Sequence, residues 1–443
     1  MGHDFLNQKA SQKIEGNHPL YHFKRKVWNT HIDRYPAAIF ECKSEEDVID
    51  AVCYAKKHGL KITVRGGGFH PAGKSVMDDA VLIDLSNMNA IQVDEVSKIA
   101  TVEAGARTFE VDAITQEYGL AIPLGMNSNI GVSGLALGGG LGYLRGKYGL
   151  TSDHIVGVHL VTGDGQLIYV NRIERPELFW AIRGAGANYG VVTKFEFKLV
   201  PVGQLILGLD VVYDYSDFKQ IMEKAEAYRQ KAIDDISFNI ILTKSNTGFK
   251  SVRVIGMYIG ELNLQTETEI IQPLLELAPS VTDYSEMMPY VDMQKKFDCF
   301  IQDGFAIEGI SLFFNELHPD VIEILMDEVD RSEFPVSYHF VEIHGKMNRI
   351  SKFETAFHIR DASYLLVVEA EVGSHPDLTE QWIYQLYEKL LPYSYNQVSY
   401  LNSSTIDEGV IQNSYRCIHG RLVALKKEYD SENLFCSENK LID

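Results

Sequence analysis

Short apolar runs alternate with striped helical segments along the N-terminal part of the chain, and glycine clusters punctuate them. Residues 36–41 read as a strand. Ser44 then opens a helix, with Asp47 three residues on and Gly59 closing it. Val48, Ile49, Val52 and Ala55 give that helix one apolar stripe. Leu60-Lys61-Ile62-Thr63 reads as the next strand. Residues 81–85, 90–93 and 99–102 read as further strands, and 108–118 as a helix ended by Gly119. Residues 155–162 and 166–170 make a predicted hairpin around Gly163-Asp164-Gly165. Residues 191–199 form a strand that Pro201 stops. The pattern predicts an α+β domain over residues 1–201.

Beyond residue 205 the texture changes: long strands alternate with helices, without glycine loops. Strands are predicted at 205–213, 236–242, 252–259, 305–313, 337–345 and 363–372. Helices are predicted at 217–231, 265–277, 319–329 and 378–390. This describes a second domain over residues 202–395, a mostly antiparallel sheet backed by helices.

The glycine clusters bring in chemistry. Val64-Arg65-Gly66-Gly67-Gly68-Phe69-His70 follows a strand; a second run spans 131–142 and a third 184–193. Glycines without Cβ let backbone N–H groups close around an anion, and Arg65 adds a fixed positive charge at the strand end. Three such runs, each beside an apolar segment, suit one long phosphate-bearing ligand, a dinucleotide. Gly138-Gly139-Gly140-Leu141-Gly142 does not meet the Rossmann pattern. No early strand leads into it, and Asp164 lies in a hairpin turn instead of at the ribose-binding position.

Composition narrows the field. With 61 acidic against 41 basic residues the formal charge is −20, which argues against nucleic acid and anionic membranes as partners. The five cysteines are scattered without metal-ligand spacing, so neither a disulfide framework nor a metal site is expected. Residues 1–7 are polar, and Leu6 stands where a myristoylation signal needs Ser or Thr. No apolar run approaches ~18 residues, so a cytoplasmic protein without a membrane span is expected.

The ordered set of motifs is specific. It runs from Arg65-Gly66-Gly67-Gly68 through Gly134-Leu135-Ala136-Leu137-Gly138-Gly139-Gly140 and Phe179-Trp180-Ala181-Ile182-Arg183-Gly184 to Gly190-Val191-Val192-Thr193. It ends with Arg421-Leu422, Lys426, Tyr429-Asp430 and Asn433-Leu434-Phe435. Over nearly the whole chain this resembles the berberine-bridge-enzyme-like oxidoreductases of the vanillyl-alcohol-oxidase fold. The resemblance implies an α+β fold with a PCMH-type two-part FAD-binding domain and a substrate domain. Residues 396–443 would return to the FAD domain, with a last helix at 413–428. It also implies that Gly66, Gly67, Gly68 and Phe69 offer N–H groups to the pyrophosphate. Asn129, Ile130, Gly131, Val132 and Gly134 would run under the isoalloxazine, and Gly190 and Val191 would hold the adenosine end.

Against the family pattern, Phe69 stands where a flavin-linking histidine is usual, with His70 one residue late. Asn127 stands where a second, cysteinyl link occurs. Non-covalent FAD is expected, a single link through His70 being the alternative. The Tyr-x-Asn-Tyr motif reads Tyr400-Leu401-Asn402-Ser403. Along strand 337–345, Tyr338, Phe340, Glu342 and His344 share one face, and His339, Val341 and Ile343 the other. The polar first face makes Glu342 the expected base, with Tyr400 orienting substrate and His344 or Glu369 next; Glu371 and Tyr143 are weaker pocket candidates. The expected reaction is hydride transfer from a small alcohol, sugar or amine to flavin and then to O₂, with Val132 leaving room for oxygen. A dehydrogenase with another acceptor, or a weakened family member acting by binding, is the alternative.

Overall fold

Ser44 Oγ accepts the Asp47 N–H at 3.3 Å and starts the helix Glu45–His58. Acidic residues fill its first turn and basic ones its last. Gly59, at φ 64°, ends it in the left-handed conformation that suits glycine. The helix connects Ala38–Glu41 to Ile62–Arg65, and Val81–Asp84 pairs parallel with both. Gln12–Ile14, which the apolar pattern does not announce, adds an antiparallel edge. The computed structural model describes residues 12–300, 304–373, 376–405, 410–436 and 441. The N-terminal reading of residues 1–7 lies outside the described residues.

A second sheet is antiparallel, in the order Ile91–Asp94, Ile99–Glu103, Val191–Lys198, Ile155–Val161, Leu167–Asn171. One apolar core joins both sheets, the helix Pro176–Ala185 and the C-terminal helix His419–Tyr429. Fully burying each Leu, Val or Phe of such a core contributes ~1.5–3 kcal/mol.

The third sheet is large and antiparallel, with the path Ser280–Asp283, Leu205–Asp214, Lys250–Tyr258, Ile236–Lys244, Val336–Glu342, Tyr364–Glu371, Ile307–Phe314. Glu286–Pro289 also pairs with Leu205–Asp214. Helices Phe218–Arg229, Pro319–Arg331 and Pro376–Leu390 cover one face, where Tyr338 and Phe340 pack with Phe218, Leu325 and Leu386. The other face carries Val341, Leu365 and Phe313 toward the N-terminal sheets.

Two glycine runs read as loops contain helix. Val132–Leu137 is helical inside the second run, and the third begins within Pro176–Ala185, kinked at Arg183 and Gly184. Runs of glycine, serine and alanine carry neither helical periodicity nor strong propensity, so tertiary packing decides them. The stretch after Arg349 crosses back. Ala356 N–H donates to Trp180 O, Phe357 N–H to Arg183 O, and Arg360 forks onto Asp153 at 2.7 and 2.9 Å. Among the described residues no helix is long and apolar enough to cross a membrane, and no cluster of metal-ligating side chains occurs.

Candidate active site

The uncovered face of the large sheet, the two N-terminal sheets and the C-terminal segment enclose a cavity of about 320 Å³. Gly66, Gly67, Gly68, Phe69 and His70 form one side and Ile130, Gly131 and Gly134 another, with Gly190 and Val191 also on the wall. Gly67 and Gly131 meet backbone to backbone. A Cβ on Gly67 would lie 2.4 Å from Gly131 N, and one on Gly131 would lie 2.3 Å from Gly67 N. Gly134 differs: a Cβ there meets nothing within 4 Å and would project into the cavity. Only at Gly68, φ 67°, does this loop need the left-handed region.

Three expected cofactor contacts are corrected. Arg65 does not face the cavity; its guanidinium donates to Asp84 at 2.6 Å and to Lys26 O at 3.0 Å. The parallel register sets Arg65 directly opposite Asp84, so the charge braces the loop from behind. Asn129 is absent from the wall, and its N–H donates to Asn127 Oδ1 at 2.9 Å. Val132 is fully buried in the N-terminal core, so it opens no room for oxygen beside the cavity.

The wall fits a polar ligand with apolar rings. Thr63 Oγ1, Ser75 Oγ and Asn127 Nδ2 all belong to wall residues and are buried without a hydrogen-bond partner. An unmet buried donor costs ~1–3 kcal/mol, so such atoms mark where a ligand belongs. The bond from Asn129 N–H fixes the Asn127 amide with its Nδ2 donors free. Lys74 adds a cation to the same wall. Sequence reading missed Lys74 and Ser75, which follow the glycine loop within a few residues. These backbone cradles and donors suit the diphosphate and ring system of FAD.

Phe69 and His70 take fixed roles. The Phe69 ring stacks on Trp28 with centroids 4.9 Å apart and planes at 18°. His70 Nδ1 accepts the Ala72 N–H at 3.1 Å, so Nε2 carries the proton and donates to Leu401 O at 2.7 Å. Burial pushes His70 down to about 3, the Lys74 charge adding to the shift, so the imidazole is neutral.

The sheet contribution is the reverse of the expected one. Glu342 and His344 lie on the face away from the cavity, and their assignment as catalytic groups is corrected. His344 Nδ1 donates to both Glu342 oxygens, at 2.7 and 2.8 Å, and Nε2 donates to Ile233 O at 2.9 Å. Burial alone would lower His344; the Glu342 hydrogen bond and charge outweigh it and hold the ring above the ordinary imidazole range. The two are a buried ion pair, occupied with each other. Tyr143 also lies off the wall, packed with Tyr290, Ile241 and Met257. Glu371 is exposed elsewhere.

The cavity instead receives His339, Val341, Leu365, Val367 and Glu369, together with Tyr400, Asn402 and Ser403. The Tyr400 oxygen accepts the Gly140 N–H at 3.2 Å and an Asn402 amide N–H at 3.1 Å. Burial nevertheless raises its hydroxyl above the ordinary phenol range. His339 Nε2 lies 2.9 Å from Ser337 Oγ and 3.6 Å from Glu369 Oε2. Glu369 is the one carboxylate among the described residues of this wall.

Glycine cradles, a facing sheet and unmet donors in one cavity define a flavin-binding oxidoreductase architecture. The family described as FAD binding domain matches residues 36–171. An FAD-linked oxidoreductase of Dictyostelium discoideum is 31% identical over 422 residues, 93% of this chain and 89% of that protein. The (R)-6-hydroxynicotine oxidase of Paenarthrobacter nicotinovorans is 32% identical over 425 residues, 92% of each. The crystal structure of 6-hydroxy-D-nicotine oxidase from Arthrobacter nicotinovorans superposes with a TM-score of 0.88 at 28% identity, covering 98% of both chains. The chain belongs to the family of FAD-linked oxidoreductases that these two relatives represent.

Proposed function

We propose that the protein oxidises a small polar alcohol, sugar or amine, holds FAD without a covalent bond, and passes the electrons to O₂ with release of H₂O₂. FAD, when bound, supplies the two-electron acceptor for a hydride from substrate carbon. Two features support non-covalent attachment: Phe69 has no nucleophilic atom, and both His70 nitrogens are engaged by Ala72 and Leu401. Backbone N–H groups of the Gly66–Gly68 loop, with Lys74, would hold the diphosphate, and Asn127 would donate to the polar edge of the ring system.

The observation that carries the reading is Glu369, the one carboxylate among the described residues of a wall that Tyr400 also lines. Glu369 takes the substrate's O–H or N–H proton. Tyr400, kept protonated by burial, donates its hydroxyl to the substrate heteroatom and orients it. Val341, Leu365 and Val367 exclude water from the same region. Relatives named as oxidases support O₂ as acceptor. The test is anaerobic mixing of the yellow protein with a panel of alcohols, sugars and amines. One class should bleach the flavin, and air should restore the colour with stoichiometric H₂O₂. Restoration by quinones or dyes but not by air would make the protein a dehydrogenase; a yellow protein that no substrate class bleaches would overturn the enzymatic reading.

A further inference from the structure

Lys426 does not itself line the cavity, yet it is buried and fully bonded. Its side chain is 2% exposed, on the helix His419–Tyr429. The ammonium donates to Asp430 Oδ2 at 2.6 Å, to Asn188 O at 2.8 Å and to Phe435 O at 2.8 Å. Three donors meet three acceptors. Asp430, 1% exposed on its side chain, accepts in turn the N–H groups of Leu434 at 2.8 Å and Phe435 at 2.9 Å. Beyond that knot the chain pairs with the first sheet: Ile62 N–H donates to Leu434 O at 2.8 Å, and Cys436 N–H to Ile62 O at 3.1 Å.

Each segment tied here carries part of the cavity wall. Asn188 stands with Gly190 and Val191, Phe435 with Cys436, and Ile62 opens the strand that leads to the glycine loop. A buried ion pair gives little net stability relative to apolar side chains of the same size. Its distinctive effect here is geometric: one ammonium fixes two carbonyls that the sequence separates widely, from Asn188 to Phe435. We infer that Lys426 is a positioning residue for FAD, locking the loop at Asn188, the strand at Ile62 and the segment at Phe435 into one wall. Docking of the C-terminal segment and binding of the cofactor are then one coupled event, and the coupling is reciprocal.

The full-length Lys426→Met protein tests this. FAD binding should weaken roughly 5- to 150-fold, the usual range of such couplings. The rate of flavin reduction at saturating FAD should stay within about twofold of wild type. The rise in melting temperature that FAD confers should shrink, because that rise follows affinity. Equal losses of melting temperature with and without FAD, at unchanged FAD affinity, would overturn the inference and leave a purely structural pin. Should the variant not fold, amide exchange on the wild-type protein decides. Adding FAD to the apo-protein should slow exchange at Leu434, Phe435 and Cys436 by about tenfold or more. Unchanged exchange there would refute the coupling.

Discussion

Gly134 and Gly67 both line the cavity, yet a methyl group at each should act in opposite directions on the empty protein. At Gly134 the new Cβ meets nothing within 4 Å, and the residue lies inside the helix Val132–Leu137. Replacing a helical glycine by alanine gains up to ~1 kcal/mol. The apo-protein should therefore melt up to about 1 °C higher. The same methyl projects into the cavity, where crowding a packed ligand costs ~1–3 kcal/mol. FAD affinity should fall by about 5- to 150-fold. At Gly67 the Cβ would lie 2.4 Å from Gly131 N, about 1 Å inside ordinary contact, so the two backbones must part. Gly67→Ala should lower the apo melting temperature and also weaken FAD. The assays are thermal melts of apo-protein and flavin-fluorescence titration. Unchanged FAD affinity in Gly134→Ala would refute the placement of the cofactor over this helix. A lower apo melting temperature in that variant would refute the open space beside Gly134.

Further outcomes can be checked in parallel. Glu369→Gln should slow anaerobic flavin reduction by ~10²–10⁴-fold, as loss of a general base does. Glu342→Gln should leave reduction near the wild-type rate while destabilising the fold by about 3–5 kcal/mol, because it strands the buried His344 cation. Acid precipitation should leave FAD in the supernatant, and His70→Ala should not change that partition; colour retained in the wild-type pellet and freed by His70→Ala would establish a covalent link. Burial pushes Asp84 up, but the charge and hydrogen bond of Arg65 outweigh it and hold the carboxyl below the ordinary range. Its contribution is thus complete above the unfolded value near ~4 and is lost as pH falls through the depressed folded value. Melting temperature measured against pH should show this acid step, and Asp84→Asn should lose it. His70, held neutral with a folded value of about 3, adds a separate loss as pH falls below the unfolded imidazole value of ~6.5. His70→Asn should remove that loss.

What the sequence discloses and what it withholds divide along physical lines. Local chemistry is legible: Ser44, Asp47 and Gly59 predict a helix whose caps the structure contains. The order of the glycine motifs points to FAD because each motif is short and needs no distant partner to be recognised. Sheet sidedness is not local. In Tyr338-His339-Phe340-Val341-Glu342 both faces mix apolar and ionisable groups, so alternation alone does not say which face the helices cover. Counting polar groups favoured Glu342 and His344, but two ionisable groups on one face satisfy each other when buried. Arg65 shows the same limit: its partner Asp84 stands opposite only once the parallel register is known.

The one-residue displacement of histidine in the first glycine loop has a structural meaning beyond cofactor attachment. Phe69 takes the place against Trp28, which leaves His70 to turn its Nε2–H to the Leu401 carbonyl. Leu401 sits between Tyr400, whose hydroxyl orients substrate in the proposed reaction, and Asn402, whose amide donates to that hydroxyl. A neutral imidazole with one donor and one acceptor can bridge Ala72 N–H and Leu401 O; an imidazolium would lose the first bond. The same burial that keeps His70 neutral therefore joins the first glycine loop to the segment carrying Tyr400 and Asn402. Breaking that bridge should loosen both, and the shared signature would be weaker FAD binding together with a higher KM.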